Sequence, residues 1–316
     1  MEISLERLIA PLSRLEFFSQ YWGERPLVAR NLPATFATLF SWEALSEILS
    51  THRLDFPQLR LVRAGKVVAV GEYIRHQSDR RGNMFAKHDS QAVMDLLKAG
   101  AVLHITSIGE AWQPLSALSA QLELDLTARV QVNVHAGFAA SRGFDTHWDG
   151  HDVFAVQIAG KKRWRLFGVT EVAPMAVPPD LKTGAPDQHT WEGVIQPGEV
   201  LYIPRGYWHA AEALDDASLH LTFAVQHPTG LDYLRSLLDN MAMCVPARRN
   251  IPIPSFDSQT DERAVQAYVE VLKGLVEDAA TVQSLSKFIG EFRRSLGKTN
   301  QVRLESITER KSHAHS

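Results

Sequence analysis

Between Thr146 and Gly168 the chain reads THWDGHDVFAVQIAGKKRWRLFG, and this stretch restricts the possible folds more than any other. Val153, Ala155 and Gln157 interleave with Phe154, Val156 and Ile158 in a near-continuous apolar run, as expected of a strand buried on both faces. Ala159-Gly160-Lys161 is a tight turn, and Arg163 to Phe167 alternates as the returning strand. The same grammar recurs further on. Pro197-Gly198 is a turn, Glu199 to Ile203 a strand, Pro204-Arg205-Gly206 a turn, and a strand begins at His209. Short paired strands joined by tight turns point to an antiparallel double-stranded β-helix.

The stretch opens on an H-x-D pair, His147 and Asp149. Residues i and i+2 of a strand share a face, so a strand here presents an imidazole and a carboxylate side by side. About sixty residues later YIPRGYWHAA supplies His209 at the start of another strand. Two His and one carboxylate on one side of a cation, with the other side open, is the set that holds non-haem Fe(II) for oxygen chemistry. The tripeptide alone is a weak signal in a chain with 13 His, where an exposed polar turn before a buried strand is the plain alternative. The strand pattern around it and the distal His209 favour the metal site.

Four segments together resemble the JmjC branch of the cupin superfamily, in particular the ribosomal oxygenases: VQVNVHAG (130–137), THWDGHDVFAVQIAGKKRWRLF (146–167), GEVLYIPRGYWHAAEAL (198–214) and SLHLTFAV (218–225). FFSQYWGERPLVAR (17–30) is similar to the segment that precedes the barrel there, so the likeness runs over most of residues 10–245. It implies a jelly-roll Fe(II)- and 2-oxoglutarate-dependent hydroxylase. His147, Asp149 and His209 fall on its iron ligands. Lys162 falls on the basic residue that pairs with the distal carboxylate of 2-oxoglutarate, a suitable use of an ammonium. Read without the family, Lys162 is rather a solvated turn cation between Lys161 and Arg163. Asn133 falls on a residue that hydrogen-bonds the co-substrate, or is a polar decoration of a strand edge. His135 stands where the family carries Tyr. His220 and Thr222, in SLHLT, also match, although a lone inward His is more often a satisfied core residue. His151 and Asp152 read as loop or supporting residues, Trp148 and Trp208 as pocket wall or core, and Tyr207 as a candidate substrate contact.

At 316 residues and 45% hydrophobic the chain can bury a large core. The expected architecture is α+β, mainly β with helices. It has N-terminal α/β elements (1–100), a JmjC catalytic barrel (101–228) and a C-terminal helical segment (229–316). Within the first part, Ser13 to Glu16 is a capping box opening a helix that ends near Gly23, and Ser41 to Ser50 is a second capped helix. Pro26 to Arg30 is a strand, and Arg75 to Asn83 a polar loop over the barrel mouth. Gln91 to Lys98 is a helix closed by Gly100. A Pro-rich insertion lies between Val172 and Trp191, and the tail after Gly297 is polar. Leu231, Leu234, Leu238 and Met241 mark one apolar helical stripe, with others at Val265–Leu275 and Leu285–Leu296. The resemblance reads such a segment as a homodimerisation surface.

Net charge is −3 with no long basic run, which argues against direct nucleic-acid binding. Cys244 is the single cysteine, so a disulfide framework and a Cys-rich zinc module are excluded and a reducing cytoplasm fits. The N-terminus carries acidic residues and no uninterrupted apolar core, so it does not read as a signal peptide. No apolar run has membrane-spanning length. The resemblance implies a protein or peptide substrate, ribosomal proteins among them. The ribosomal oxygenases also carry a C-terminal winged-helix domain, and the roughly 85 residues here are short for that and a dimerisation segment together. An oxygenase of the same fold acting on a small molecule or biosynthetic peptide stays open. So does a non-catalytic cupin-like binding module.

Overall fold

In a computed structural model of the chain, which describes residues 3–138, 143–175, 184–214, 217–252 and 258–297, the first elements form where local chemistry dictates. After a short turn of helix, α1 (Leu5–Leu8), the helix α2 (Arg14–Gln20) starts at Ser13. The Glu16 amide donates to Ser13 Oγ while the Ser13 amide donates to the Glu16 carboxylate. That reciprocal box satisfies two amides the helix leaves unpaired. Strand β1 (Leu27–Arg30) and helix α3 (Trp42–Thr51, capped by Ser41) follow as expected. Strands β2 (Leu59–Arg63) and β3 (Lys66–Val67) pair with each other.

Residues 75–83 are not the open loop anticipated. They belong to a hairpin of β4 (Ile74–Ser78) and β5 (Met84–His88). Backbone pairing needs no apolar pattern, and Asp79 organises the turn by accepting from the Arg81 and Asn83 amides. Helix α4 (Ser90–Lys98) is capped by Asp89, and β6 (Val102–Ile105) leads to α5 (Gln113–Leu126). That helix lies inside the span read as barrel. Its buried Leu115, Leu118, Leu122 and Leu126 repeat at helical spacing.

Seven further strands complete the barrel: β7 (Arg129–Phe138), β8 (Asp152–Ala159), β9 (Lys162–Val169), β10 (Trp191–Ile195), β11 (Glu199–Ile203), β12 (Tyr207–Ala213) and β13 (Ala217–Gln226). The larger sheet has the order β1-β11-β8-β13-β7-β6-β2-β3, and the smaller β10-β9-β12. Strand β13 pairs on both edges, with β7 and β8. Strand β8 is buried on both faces, which is why its sequence is apolar apart from Asp152 and Gln157. Val153 and Ala155 pack with Leu201, Ile203, Trp164, Leu166 and Ile195 of both sheets. Phe154 and Val156 face the main core with Phe17, Tyr202 and Phe223. Each such burial stabilises the fold by about 1.5–3 kcal/mol. The two layers are those of a jelly-roll, as the strand grammar predicts.

The chain divides into two units, Met1–Gln226 with Gly297–Ser316, and His227–Leu296. The second consists of α6 (Gly230–Met241), α7 (Val245–Arg248), α8 (Ser258–Ala279) and α9 (Val282–Ser295). Within it the Tyr233 hydroxyl of α6 lies 2.6 Å from Ser284 Oγ of α9. Met241 is buried, whereas Leu231, Leu234 and Leu238 are exposed. Residues 176–183 of the Pro-rich stretch and the tail beyond Gly297 lie outside the described residues. Among the described residues no helix is long and apolar enough to cross a membrane.

Candidate active site

His147 and Asp149 do not stand on a strand. They lie in the connection between β7 and β8, and His147 forms an isolated antiparallel bridge with His209. The His147 amide donates to the His209 carbonyl at 3.1 Å, and the His209 amide donates back at 2.8 Å. Two residues far apart in sequence are thereby locked opposite each other by backbone alone. The register of β12 against β9 shifts between Trp208 and His209, an irregularity of the kind that re-aims a side chain.

The turn before β12 is anchored on the same connection. The Gly206 amide donates to the Asp149 carbonyl at 2.9 Å. The Arg205 amide donates to Asp152 at 2.7 Å, and the Tyr202 hydroxyl donates to the same carboxylate. Gly206 has φ +84, and a Cβ there would meet the Pro174 ring at 2.9 Å, so only glycine suits the turn. On the other side, Gly65 between β2 and β3 bridges Phe144, and its amide donates to the Gly143 carbonyl at 3.0 Å.

His147 Nδ1 donates to the Asp145 carbonyl at 2.7 Å and His209 Nδ1 to the Tyr207 carbonyl at 2.9 Å. A carbonyl only accepts, so each ring carries its proton on Nδ1 and, when neutral, a lone pair on Nε2. Burial, then the neighbouring His147, pushes His209 down to about 4, which keeps it a neutral ligand at ordinary pH. The Nε2 atoms stand 4.0 Å and 3.6 Å from the Asp149 oxygens for His147 and His209 respectively. These gaps are too long for hydrogen bonds. One potential ligand atom from each of the three residues lies within 4.8 Å of the others, and among the described residues this is the one such cluster. The donor set, its fixed tautomers and its spacing fit a single divalent cation.

The three face a cavity of about 330 Å³. Lys162, Asn133, His135, His220 and Thr222 all line it, as do His104, Phe144, His151 and Trp164. Lys162 is not a solvated turn cation. It is buried, and its Nζ lies 2.8 Å from His220 Nδ1. Burial lowers it to about 7. Thr222 Oγ1 is 3.3 Å from His135 Nε2. Asn133 Oδ1 accepts from the Ser107 amide and the Gln131 side chain. Trp148 and Trp208 are buried, the latter donating to Thr170, while the Tyr207 hydroxyl donates to the Glu24 carbonyl; none of the three lines the cavity. Several lining residues escaped the sequence reading, His104 and Trp164 among them. His104 sits in the buried strand VLHI, where a histidine among aliphatics was the available signal. Trp164 alternates inward on β9 and its buried indole N–H has no partner among the described residues.

The family model described as JmjC domain matches residues 102–233, a span that contains every residue lining the cavity. That span of the chain is similar to the JmjC domain. Proteins named ribosomal oxygenase or histidyl-hydroxylase are among those the chain is similar to. Ribosomal oxygenase 2 of Rattus norvegicus is 29% identical over 249 residues, covering 72% of this chain and 49% of the relative. The bifunctional lysine-specific demethylase and histidyl-hydroxylase NO66 of Caenorhabditis elegans is 26% identical, covering 90% of this chain and 41% of the relative. The chain thus spans about half the length, or less, of these relatives. The structure of YcfD, a ribosomal oxygenase from Escherichia coli, in complex with cobalt and 2-oxoglutarate aligns with TM-score 0.57 at 18% identity, covering 90% of this chain and 71% of that one. At that identity the likeness is one of fold.

Proposed function

We propose that this protein is an Fe(II)- and 2-oxoglutarate-dependent dioxygenase that hydroxylates an amino-acid side chain in a protein or peptide. The observation that carries the reading is the convergence, in one cavity, of the His147, Asp149 and His209 cluster with a buried lysine. His147 and His209 offer Nε2, and Asp149 supplies the one anionic donor. Bound there, Fe(II) with 2-oxoglutarate activates O2 for insertion into a C–H bond. The chain's own residues hold and orient the reactants. Lys162 receives the distal carboxylate, and Asn133, Thr222, His135 and His220 line its berth. Val153, Phe144, Trp164 and Ala211 give the cavity apolar wall that limits water.

A second, wider cavity of about 750 Å³ supports a peptide rather than a small molecule as substrate. It shares Asn133 and His151 with the first and is walled by α5 and the start of β7. The relatives' names mention ribosomal oxygenase and histidyl hydroxylase, so a ribosomal protein is the first substrate class to test. Iron-loaded protein, prepared anaerobically, is to be incubated with cell extract, 2-oxoglutarate and O2. Peptides gaining one oxygen atom, absent with Asp149→Ala, are the expected result; no such peptide at any protein level refutes the assignment.

The exposed Leu231, Leu234 and Leu238 of α6 support a homodimer formed through the C-terminal helices. Light scattering that returns the mass of one chain, 35.3 kDa, at micromolar concentration sinks it. The single Cys244 and the need to keep iron ferrous support a cytoplasmic site of action. Recovery of the chain in a secreted or membrane fraction contradicts that. The net charge of −3 supports the absence of direct nucleic-acid binding, and salt-sensitive retention on DNA or RNA contradicts it.

A further inference from the structure

Strand register places Arg60, His104, His135, His220 and Gln157 as successive cross-strand partners on β2, β6, β7, β13 and β8. Three imidazoles therefore stand in a row across the sheet. The His104 and His135 rings are 4.5 Å apart, and the His135 and His220 rings are 4.5 Å apart and nearly parallel at 11°. From the opposite sheet Lys162 reaches the end of this row, its Nζ 2.8 Å from His220 Nδ1. Among the described residues Lys162 forms no ion pair. The groups around it are His220 from β13, His135 from β7, His104 from β6 with Arg60 beyond it, His147 and Asp149 from the β7–β8 connection, and His209 from β12. Asp149 is the one carboxylate among the lining residues, and it belongs to the metal cluster.

A buried ammonium hydrogen-bonded to a neutral imidazole is well placed for an incoming anion. We propose that the Lys162–His220 pair makes co-substrate capture proton-coupled: the distal carboxylate of 2-oxoglutarate replaces His220 Nδ1 as the acceptor for Lys162, and one solvent proton is taken up at Nζ as it binds. This rests on the reading of the cavity as the 2-oxoglutarate site. The electrostatics support it. Burial holds Lys162 at about 7 and His104 at about 4, and holds His135 and His220 well below the ordinary imidazole range. The imidazole row is therefore neutral at ordinary pH and cannot balance a carboxylate. The lysine is the group that gains the proton, because an anion beside it favours its charged form. Below pH 7 the proton is already in place and none is taken up. Above it, affinity falls about tenfold per pH unit, because each complex must first draw its proton from a scarcer supply. His135 matters here as a neutral ring stacked behind His220. It keeps the acceptor oriented toward Nζ while adding no charge.

The test is calorimetry of 2-oxoglutarate on anaerobic, manganese-loaded protein in two buffers of different ionisation heat, at about pH 6 and about pH 8.5. The buffer dependence of the heat gives the number of protons taken up. The expectation is near zero at the lower pH and approaching one at the higher, with affinity at least tenfold weaker there. Lys162→Arg, whose charge is permanent, is expected to bind with no buffer-dependent heat at either pH. If that variant does not bind, the wild-type proton number decides alone. Tight binding with the same heat in both buffers at both pH values overturns the proposal and leaves the 2-oxoglutarate site standing. No binding at either pH removes the site assignment itself.

Discussion

Replacing Lys162 with Met is expected to stabilise the ligand-free protein while crippling its use of 2-oxoglutarate. In the empty site the ammonium is buried without a carboxylate, and burial lowers it from 10.5 to about 7. A displacement of that size disfavours the charged form in the fold by roughly 5 kcal/mol as an upper bound. Below pH 7 the side chain is charged in both folded and unfolded chains, so the whole penalty is present. Between pH 7 and 10.5 the unfolded chain binds the proton and the folded one does not, so stability rises with pH and the penalty fades. Methionine has similar length and no charge to desolvate. It forfeits the hydrogen bond to His220 and leaves that ring's Nδ1 unpaired, which costs about 1–3 kcal/mol. The net expected gain near pH 6 is roughly 2–4 kcal/mol, or several degrees in melting temperature, falling to about zero near pH 9 and turning into a loss of up to about 2 kcal/mol by pH 10. Co-substrate binding moves the other way, weakening about ten- to hundredfold through loss of a charge-assisted pair. Urea melts at both pH values, with 2-oxoglutarate titrations beside them, read both effects. A Met variant less stable than wild type by the same margin at both pH values refutes the reasoning.

Asp149→Ala is expected to abolish stoichiometric binding of a divalent ion, since it removes the one anionic donor of the cluster; unchanged metal content after dialysis rules out the assignment. Asp152→Ala strips acceptors from the Arg205 amide and the Tyr202 hydroxyl. It is expected to cost about 2–4 kcal/mol in denaturant melts and to weaken metal binding through His209, so a variant with wild-type stability counts against that role. Gly65→Ala places a Cβ against the Asp145 carboxylate at φ +80, next to the carbonyl that fixes His147. Metal affinity should drop several-fold beyond the roughly 1–2 kcal/mol of backbone strain. Gly23→Ala, at φ +72 with nothing nearby, controls for strain alone. Equal metal affinity in the two glycine variants removes the positioning role of Gly65.

The parts of the fold that were legible are those written in local chemistry. The Ser13 and Ser41 caps, the doubly buried β8 and the turn at 204–206 were each readable from a few neighbouring residues. Helix α5 was missed because the strands on either side drew the whole span into the barrel, although its leucines keep helical spacing. The hairpin of β4 and β5 was missed because its sequence is polar and its pairing is backbone alone. The sequence pairs His147 and Asp149 through strand periodicity, whereas the structure holds them otherwise. Strand periodicity is not what brings them together, since they lie in a connection held by the bridge to His209 and by the Gly206 amide.

The remainder of the site was illegible because it is built across strands rather than along them. His104, His135 and His220 are scattered over more than a hundred residues, and each alone reads as a core histidine. They become a row only through the order β6-β7-β13 and a register that a slip of one residue would destroy by turning His135 out of the cavity. The register is enforced by the alternate residues, since Val132, Val134 and Ala136 on β7 and Leu219, Leu221 and Phe223 on β13 fill the main core. The apolar half of each strand thus dictates where the polar half falls. Burial of the valines and leucines sets three imidazoles and a lysine in one cavity, and burial there is what lowers the Lys162 ammonium below its ordinary range.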